Sequence, residues 1–161
     1  MWKIIQQLCE NIRGNLTVYE AVVLMMTALG SWRCHDKSRV IPVGYSMLLI
    51  LYITLLRRTP EYNEEIRYHI SFLPDVKVWT GNLLNAILYI PLGGTIYNMA
   101  ASIKGTAFAA LLSSVLCEII QYFTHRGVAD INDALFNLIG ACAGALLFRA
   151  FRAFKKKKDL Q

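Results

Sequence analysis

The chain has 161 residues, which suits one domain and leaves no room for a second core of ordinary size. Hydrophobic residues make up 55% of it and charged residues only 17%, against about 25% charged in an average soluble domain. The charges are clustered and the segments between the clusters are nearly free of charge. This pattern disfavours a soluble helical bundle and predicts an all-α, polytopic membrane domain spanning residues 1–161.

The first residues, 1–15, mix both signs of charge before any apolar run. A secretory signal does not have this pattern, so the segment is predicted to be an amphipathic lead-in helix. Five apolar segments of 17 to 19 residues follow, each at the short end of what crosses a hydrocarbon layer of ~30 Å at ~1.5 Å per residue. No segment alternates with period two, so strands are not expected. The predicted spans are 16–32, 40–56, 82–100, 106–123 and 131–148.

The cysteines show no CxxC spacing, and two of the four lie inside apolar segments, so a disulfide framework is not expected. The run Cys34-His35-Asp36 has metal-capable side chains, but three adjacent residues rarely converge on one ion. No nucleotide-binding loop, dinucleotide fingerprint or nucleophile elbow occurs in the chain. The sequence therefore predicts neither a metal nor a cofactor, and it leaves open whether the chain is an enzyme.

The third predicted span contains polar and helix-breaking residues. Asn82 and Asn85 lie three residues apart on one helical face, where a side-chain amide needs a partner in a bundle or a wet cavity. Pro91 removes a backbone hydrogen bond and should bend the helix, and Gly93 follows it. The asparagines therefore indicate either a site or interhelical packing.

A polar cluster joins the fourth and fifth predicted spans. A carboxylate one turn inside a span is costly unless it is paired or protonated, so Glu118 is a functional candidate. Asp130 can cap the next helix, and Asp133 falls three residues later, as in a capping box. With Asn85, the candidate functional residues are Glu118, Gln121, Arg126, Asp130, Asp133 and Asn137.

Two glycines follow this cluster in the last span. Gly140 and Gly144 form a small-xxx-small pattern, which lets another helix approach the backbone closely. We expect this approach to bring Asp133 and Asn137 toward the third or fourth span. Pro91, Gly93, Gly140 and Gly144 are therefore the expected packing residues.

The chain ends in a basic segment, 149–161, directly after the last apolar span. The net charge of +6 does not indicate nucleic acid, because the basic residues flank apolar runs and form no recognised nucleic-acid motif. Aromatic and cationic residues beside a span suit an anionic cytoplasmic leaflet, although a plain stop-transfer tail has the same composition. A cytoplasmic tail places ten basic residues inside and seven outside, with the loops 57–80 and 124–130 outside.

The motifs LLNAILYIPLG at 83–93, EIIQ at 118–121 and RGVADINDALFNLIGACAG at 126–144 resemble those of the VanZ-like membrane proteins, in order, spacing and setting. The resemblance covers about residues 40–148. It implies a small multi-pass protein of the bacterial cytoplasmic membrane and cell envelope. The namesake is associated with low-level resistance to the glycopeptide teicoplanin, by a mechanism that the family pattern does not supply.

Residues that are typical of the family occur at the matching positions of this chain, with one difference in the loop before the third span. The segment before the third span commonly reads Asn-Leu-x-Pro-Phe in relatives, whereas this chain has SFLPD at 71–75, which puts any role of that loop in doubt. The matching positions are Asn85, Pro91, Gly93, Glu118, Gln121, Arg126, Asp130, Asp133, Asn137, Gly140 and Gly144.

Two functions remain open from the sequence. In the first, the cluster binds or processes a lipid-linked cell-wall precursor, with a carboxylate as general acid or base and Arg126 holding a phosphate or carboxylate. In the second, Glu118, Arg126 and Asp133 form a structural ion-pair network in a non-catalytic scaffold or accessory subunit.

Overall fold

The computed structural model describes residues 38–56, 66–67, 76–125 and 129–158, the side chains of residues 56, 66–67 and 76–80 excepted. Its four α-helices are α1 (Val40–Leu51), α2 (Val76–Ala100), α3 (Ile103–Thr124) and α4 (Ile131–Lys158). The lead-in helix, the span 16–32 and Arg126 fall outside the described residues, as do Cys34, His35 and Asp36.

The first described helix ends in an irregular turn. After Leu51, α1 continues as a π-helical turn, Tyr52–Leu56. Pro42 lies in the first turn of α1, where a missing N–H costs no helical bond. The Thr54 hydroxyl donates to the Ile50 carbonyl at 2.7 Å. Together, α1 and this turn occupy the predicted segment 40–56.

Helix α2 begins six residues before its predicted start and contains Pro91. A tight turn separates it from α3. Ala101 adopts a positive φ of 51°, and its N–H donates to the Tyr97 carbonyl at 2.8 Å. Ser102 then caps α3, because its hydroxyl accepts from the Gly105 N–H at 3.1 Å. This turn reverses the chain, so α3 runs antiparallel to α2.

At its other end, α3 stops at His125, which has a left-handed φ of 52°. Two short strands lie nearby, β1 (Ile66–Arg67) and β2 (Ala129–Asp130), and they pair in parallel. The expectation that the chain forms no strand is wrong to this small extent. A two-residue ladder between loops can form where no alternating apolar pattern exists. It links the loop after α1 to the loop before α4.

The helices α2 and α4 make the most extensive packing in the described bundle, and α3 packs against both. Three glycines lie between α2 and α4, and we call them the glycine seam: Gly93, Gly140 and Gly144. A Cβ at Gly140 would overlap the Ala86 carbonyl, and one at Gly144 would overlap the Ile90 carbonyl. The two backbones therefore touch, and side chains larger than hydrogen do not fit there.

The outer surface of the bundle is apolar. Large side chains point outward along the helices, with Phe123 74% and Phe108 70% exposed. Ile103–Thr124 and Ile131–Lys158 are the two described helices that are long and apolar enough to cross a membrane. The chain is thus an all-α protein of membrane type, while the predicted count of five spans stays a prediction. At ~1.5 Å per residue, the 28 residues of α4 reach ~42 Å, beyond a hydrocarbon layer of ~30 Å.

Candidate functional site

One end of the bundle, which we call the loop end, gathers most of the candidate residues. It is where the π-helical turn and α3 end and where α2 and α4 begin. At this end, the Gln121 side-chain amide donates to the Thr54 carbonyl at 3.2 Å. A carbonyl at a helix end lacks an intrahelical donor, so Gln121 supplies one. Gln121 is only 2% exposed, which places this contact inside the protein.

The buried side of α3 carries a row of polar side chains, the polar face of α3. Its members recur at helical spacing and point away from lipid: Ser113, Ser114, Cys117 and Gln121. The Ser113 hydroxyl donates to the Ala110 carbonyl of its own helix at 2.8 Å. Ser114 is instead contacted by α4, since the Asn137 side-chain amide donates to its hydroxyl at 2.8 Å. This bond is buried and links α3 to α4.

Glu118 lies next to the polar face and is half-buried. Its Oε2 accepts the Asp130 backbone N–H at 2.9 Å. Asp130 in turn caps α4, because its Oδ1 accepts from both the backbone N–H and the side-chain amide of Asn132 at 2.9 Å each. A carboxylate at a helix N-terminus also interacts favourably with the helix dipole. Glu118 is thus bonded to the backbone of Asp130, and the side chain of Asp130 caps α4.

Asp133 lies in the first turn of α4 and is half-buried. Because Arg126 is outside the described residues, the expected Glu118–Arg126–Asp133 network stays a prediction. The β-ladder places Arg67 in register with Asp130, so a second basic residue belongs to the loop end. Sequence reasoning placed Arg67 only in the 57–80 loop, because no local signal reveals a pairing between two distant loops.

Tyr89, which no sequence pattern singled out, is fully buried. Its hydroxyl lies beside Ser113, Ser114 and Cys117 on the polar face of α3. Tyr89 follows Asn85 by four residues, so the helical period that linked Asn82 to Asn85 also reaches Tyr89. Asn85 itself is half-buried, and among the described residues no hydrogen bond joins it to Glu118 or Gln121.

Two deeply buried side chains keep an oxygen atom without a hydrogen-bond partner in the described part of the chain. They are Gln121, through Oε1, and Asn137, through Oδ1. The Tyr89 hydroxyl lies beside the hydroxyls of Ser113 and Ser114, which can partner it. Each unpartnered oxygen costs about 1–3 kcal/mol if it stays unsatisfied. The bundle interior at the loop end therefore has spare hydrogen-bonding capacity.

A separate groove of about 430 Å³ lies between α1, α2 and α4. It is mostly apolar and includes Pro91, which puts this predicted packing residue at its wall. Among the described residues of the predicted polar cluster, none lines this groove. The lining residues are Tyr45, Ser46, Leu49, Ile90, Pro91, Gly94, Thr95, Gly144, Leu147, Phe148 and Phe151.

Within the described ranges, no three His, Cys, Asp or Glu side chains are placed to hold a metal ion. Cys117 and Cys142 are free thiols there, Cys117 being buried. The arrangement at the loop end offers instead carboxylates, amides and hydroxyls at the boundary of an apolar bundle. Such groups suit the binding of a polar head group by hydrogen bonds.

A family model described as VanZ/LLP1 matches residues 16–152. The match extends the resemblance at both ends and takes in the predicted first span, 16–32. Searches among curated proteins and among solved structures gave no match for the chain. Because the matched region covers most of the sequence, including α1, α2, α3 and most of α4, the chain belongs to the VanZ/LLP1 family.

Proposed function

We propose that the chain is a five-span protein of the bacterial cytoplasmic membrane that binds the head group of a lipid-linked cell-wall precursor at its loop end. By binding or processing this precursor it would contribute to resistance against glycopeptides such as teicoplanin. The observation that carries the proposal is a pair of buried oxygens, Oε1 of Gln121 and Oδ1 of Asn137, which have no hydrogen-bond partner among the described residues. Buried polar atoms in native proteins nearly always have a partner, so a bound molecule is a natural one.

The roles of the charged residues follow from their positions. Arg67 is in register with Asp130 at the loop end, and Arg126 falls in the sequence between α3 and α4; in this proposal their guanidinium groups hold the phosphate of a lipid-linked precursor. Glu118 and Asp133 are half-buried, and a carboxylate in such a setting can serve as general acid or base if a reaction occurs.

The second candidate function is that of a non-catalytic scaffold or accessory subunit. It is favoured by the contacts of Glu118 and Asn137, which both bond within the chain: Glu118 to the Asp130 N–H, and Asn137 to the Ser114 hydroxyl. In this case the cluster only holds α3 and α4 together.

The deciding experiment changes Glu118, Arg126 and Asp133 singly. Glu118→Gln keeps an oxygen that can accept the Asp130 N–H, so we expect a normal melting temperature in detergent together with loss of teicoplanin resistance in cells. Arg126→Ala and Asp133→Asn should behave alike. Lys104→Gln, an exposed charge removal at the start of α3, is the control and should leave both readouts unchanged.

A fall in melting temperature without any change in teicoplanin susceptibility would favour the scaffold. Wild-type stability and susceptibility in all three variants would contradict both candidate functions, since the charges would then have no measurable role.

The proposed orientation places the loop end outside and the basic residues 149–158 in the cytoplasm. Gly81 is exposed near the start of α2, and Lys104 is exposed at the opposite end. In a variant without native cysteines, Gly81→Cys should react with an impermeant thiol reagent on intact cells. Lys104→Cys should react only after the inner face is opened. The reverse pattern would place the site in the cytosol.

A further inference from the structure

The apolar groove between α1, α2 and α4 opens onto the outer surface of the bundle, since Leu147 and Phe151 in its wall are 62% and 61% exposed. On α4, the lining residues run from Gly144 to Phe151, which is ~10 Å of helix at ~1.5 Å per residue. Counted from Ile131, where α4 begins, ~20 residues cross a hydrocarbon layer of ~30 Å, so the far boundary falls near Phe151. The groove therefore lies within one leaflet, at the basic end of α4.

The walls of this groove suit hydrocarbon better than a polar ligand. The Ser46 hydroxyl donates to the Pro42 carbonyl at 2.9 Å. The Thr95 hydroxyl donates to the Leu92 carbonyl, also at 2.9 Å. Both bonds stay within one helix, and most of the remaining lining is aliphatic or aromatic. Because an unfilled groove leaves its walls without van der Waals partners, a flexible hydrocarbon chain is the fitting occupant.

The described charges are divided between the two ends of the bundle. The acidic side chains among them all lie at the loop end: Glu118, Asp130 and Asp133. At the opposite end, the charged side chains that the structure describes are all basic: Arg39, Lys104, Arg149, Arg152 and the four lysines 155–158. The groove thus ends, at Phe151, in a region of positive charge, which favours an anionic head group over a zwitterionic one.

Two of these lysines continue the groove side of α4. Lys155 follows Phe151 by four residues and Lys158 follows it by seven, which are the spacings of one helical face. They lie ~6 and ~10 Å beyond Phe151 along the axis, and a lysine stem is long enough to bring its ammonium group back to the head-group level. At ~100° per residue, Lys156 and Lys157 fall on other sides of the helix.

We propose that the groove is a binding site for one anionic phospholipid, with an acyl chain between α1, α2 and α4 and the phosphate held by Lys155 and Lys158. Ammonium groups on a phosphate form charge-assisted hydrogen bonds, and the chain supplies the van der Waals partners that the groove walls need. The site lies in the leaflet opposite the loop end. It is therefore separate from the site of the proposed function and does not depend on it.

The test counts the lipids bound to the purified, delipidated full chain in detergent by native mass spectrometry. The probes are phosphatidylglycerol and phosphatidylcholine with identical acyl chains. We expect the first phosphatidylglycerol to bind saturably and more tightly than phosphatidylcholine. In the double variant Lys155→Gln, Lys158→Gln, the dissociation constant for phosphatidylglycerol should rise about ten- to thirtyfold, and the preference over phosphatidylcholine should vanish.

The matched control is the double variant Lys156→Gln, Lys157→Gln, which removes the same charge from the same segment on other sides of α4. It should keep the preference for phosphatidylglycerol. Equal losses in the two double variants would overturn the proposal, because the basic segment would then attract anionic lipid without a defined site. Equal binding of the two lipids by the wild type would also overturn it.

Leu147→Trp tests the groove itself, because it adds a large ring to an exposed lining residue. Its control is Leu146→Trp, which adds the same ring at an exposed neighbour that does not line the groove. We expect Leu147→Trp to weaken the binding of phosphatidylglycerol and Leu146→Trp to leave it unchanged, with wild-type melting temperatures for both without lipid.

Unchanged lipid binding by Leu147→Trp would overturn the proposal. So would a lower melting temperature of Leu147→Trp alone in the absence of lipid. That result would mean that protein covers the groove, either the segment 16–32 or a second copy of the chain.

Discussion

The glycine seam and the polar face of α3 hold the same helix, α4, by opposite means. At the seam, Gly140 and Gly144 bring the α4 backbone onto α2 with no room for a further atom. On the other side, Asn137 reaches Ser114 through a single side-chain hydrogen bond, and buried oxygens stay unpartnered among the described residues. The seam is therefore held by shape, whereas the polar face of α3 is held by hydrogen bonds.

This difference has a physical basis in the membrane. Lipid tails are as apolar as leucine, so helices there associate through close packing and interhelical hydrogen bonds rather than through the hydrophobic effect. Packing at a glycine seam depends on shape and tolerates no added volume. Hydrogen bonds can exchange partners, and so a polar interior can exchange internal contacts for ligand contacts. The contact of α2 with α4 therefore depends on shape, and the contact of α3 with α4 depends on hydrogen bonds.

The largest expected effect is at the seam. Gly144→Leu would drive a side chain into the Ile90 carbonyl, so the helices must separate, and we expect a loss of about 3 kcal/mol of stability in detergent. The matched control is Gly44→Leu in α1, where a Cβ meets no described atom within 4 Å. Equal melting temperatures for Gly144→Leu and the control would contradict the close packing of α2 on α4.

A smaller effect is expected at the polar face. Ser114→Ala removes the acceptor of the Asn137 amide, and interhelical hydrogen bonds in membranes contribute about 0.6 kcal/mol on average and at most about 1.7. Thr124→Ala is the control, because that exposed hydroxyl donates to the Ile120 carbonyl of its own helix. If Ser114→Ala lost as much stability as Gly144→Leu, the glycine seam and the polar face of α3 would not differ in how they hold α4.

Patterns along the chain predicted much of the fold. Apolar segments bounded by charges predicted helices at 40–56, 82–100, 106–123 and 131–148, and the described helices cover all four. Boundaries differed where polar residues extend a helix, as in α2, which starts at Val76, and α4, which ends at Lys158. Hydropathy cannot detect such extensions, because backbone hydrogen bonding continues beyond the apolar stretch.

Sequence patterns predicted less of the candidate site than of the fold. Glu118, Gln121 and Asn137 stood out because polar groups are costly within apolar segments. Tyr89 did not, since a tyrosine in an apolar run is an ordinary core residue unless its hydroxyl is known to lie beside polar side chains.

The amino-acid sequence by itself determined the class of protein, the family, the four described helices and the positions of the costly polar residues, because each depends on local composition, period or motif. Only the tertiary structure decided which groups meet. It paired Asp130 with Glu118, Gln121 with Thr54 and Asn137 with Ser114, and it set Arg67 in register with Asp130. These contacts join segments distant in sequence, and their partners depend on how closely the glycine seam lets the helices approach.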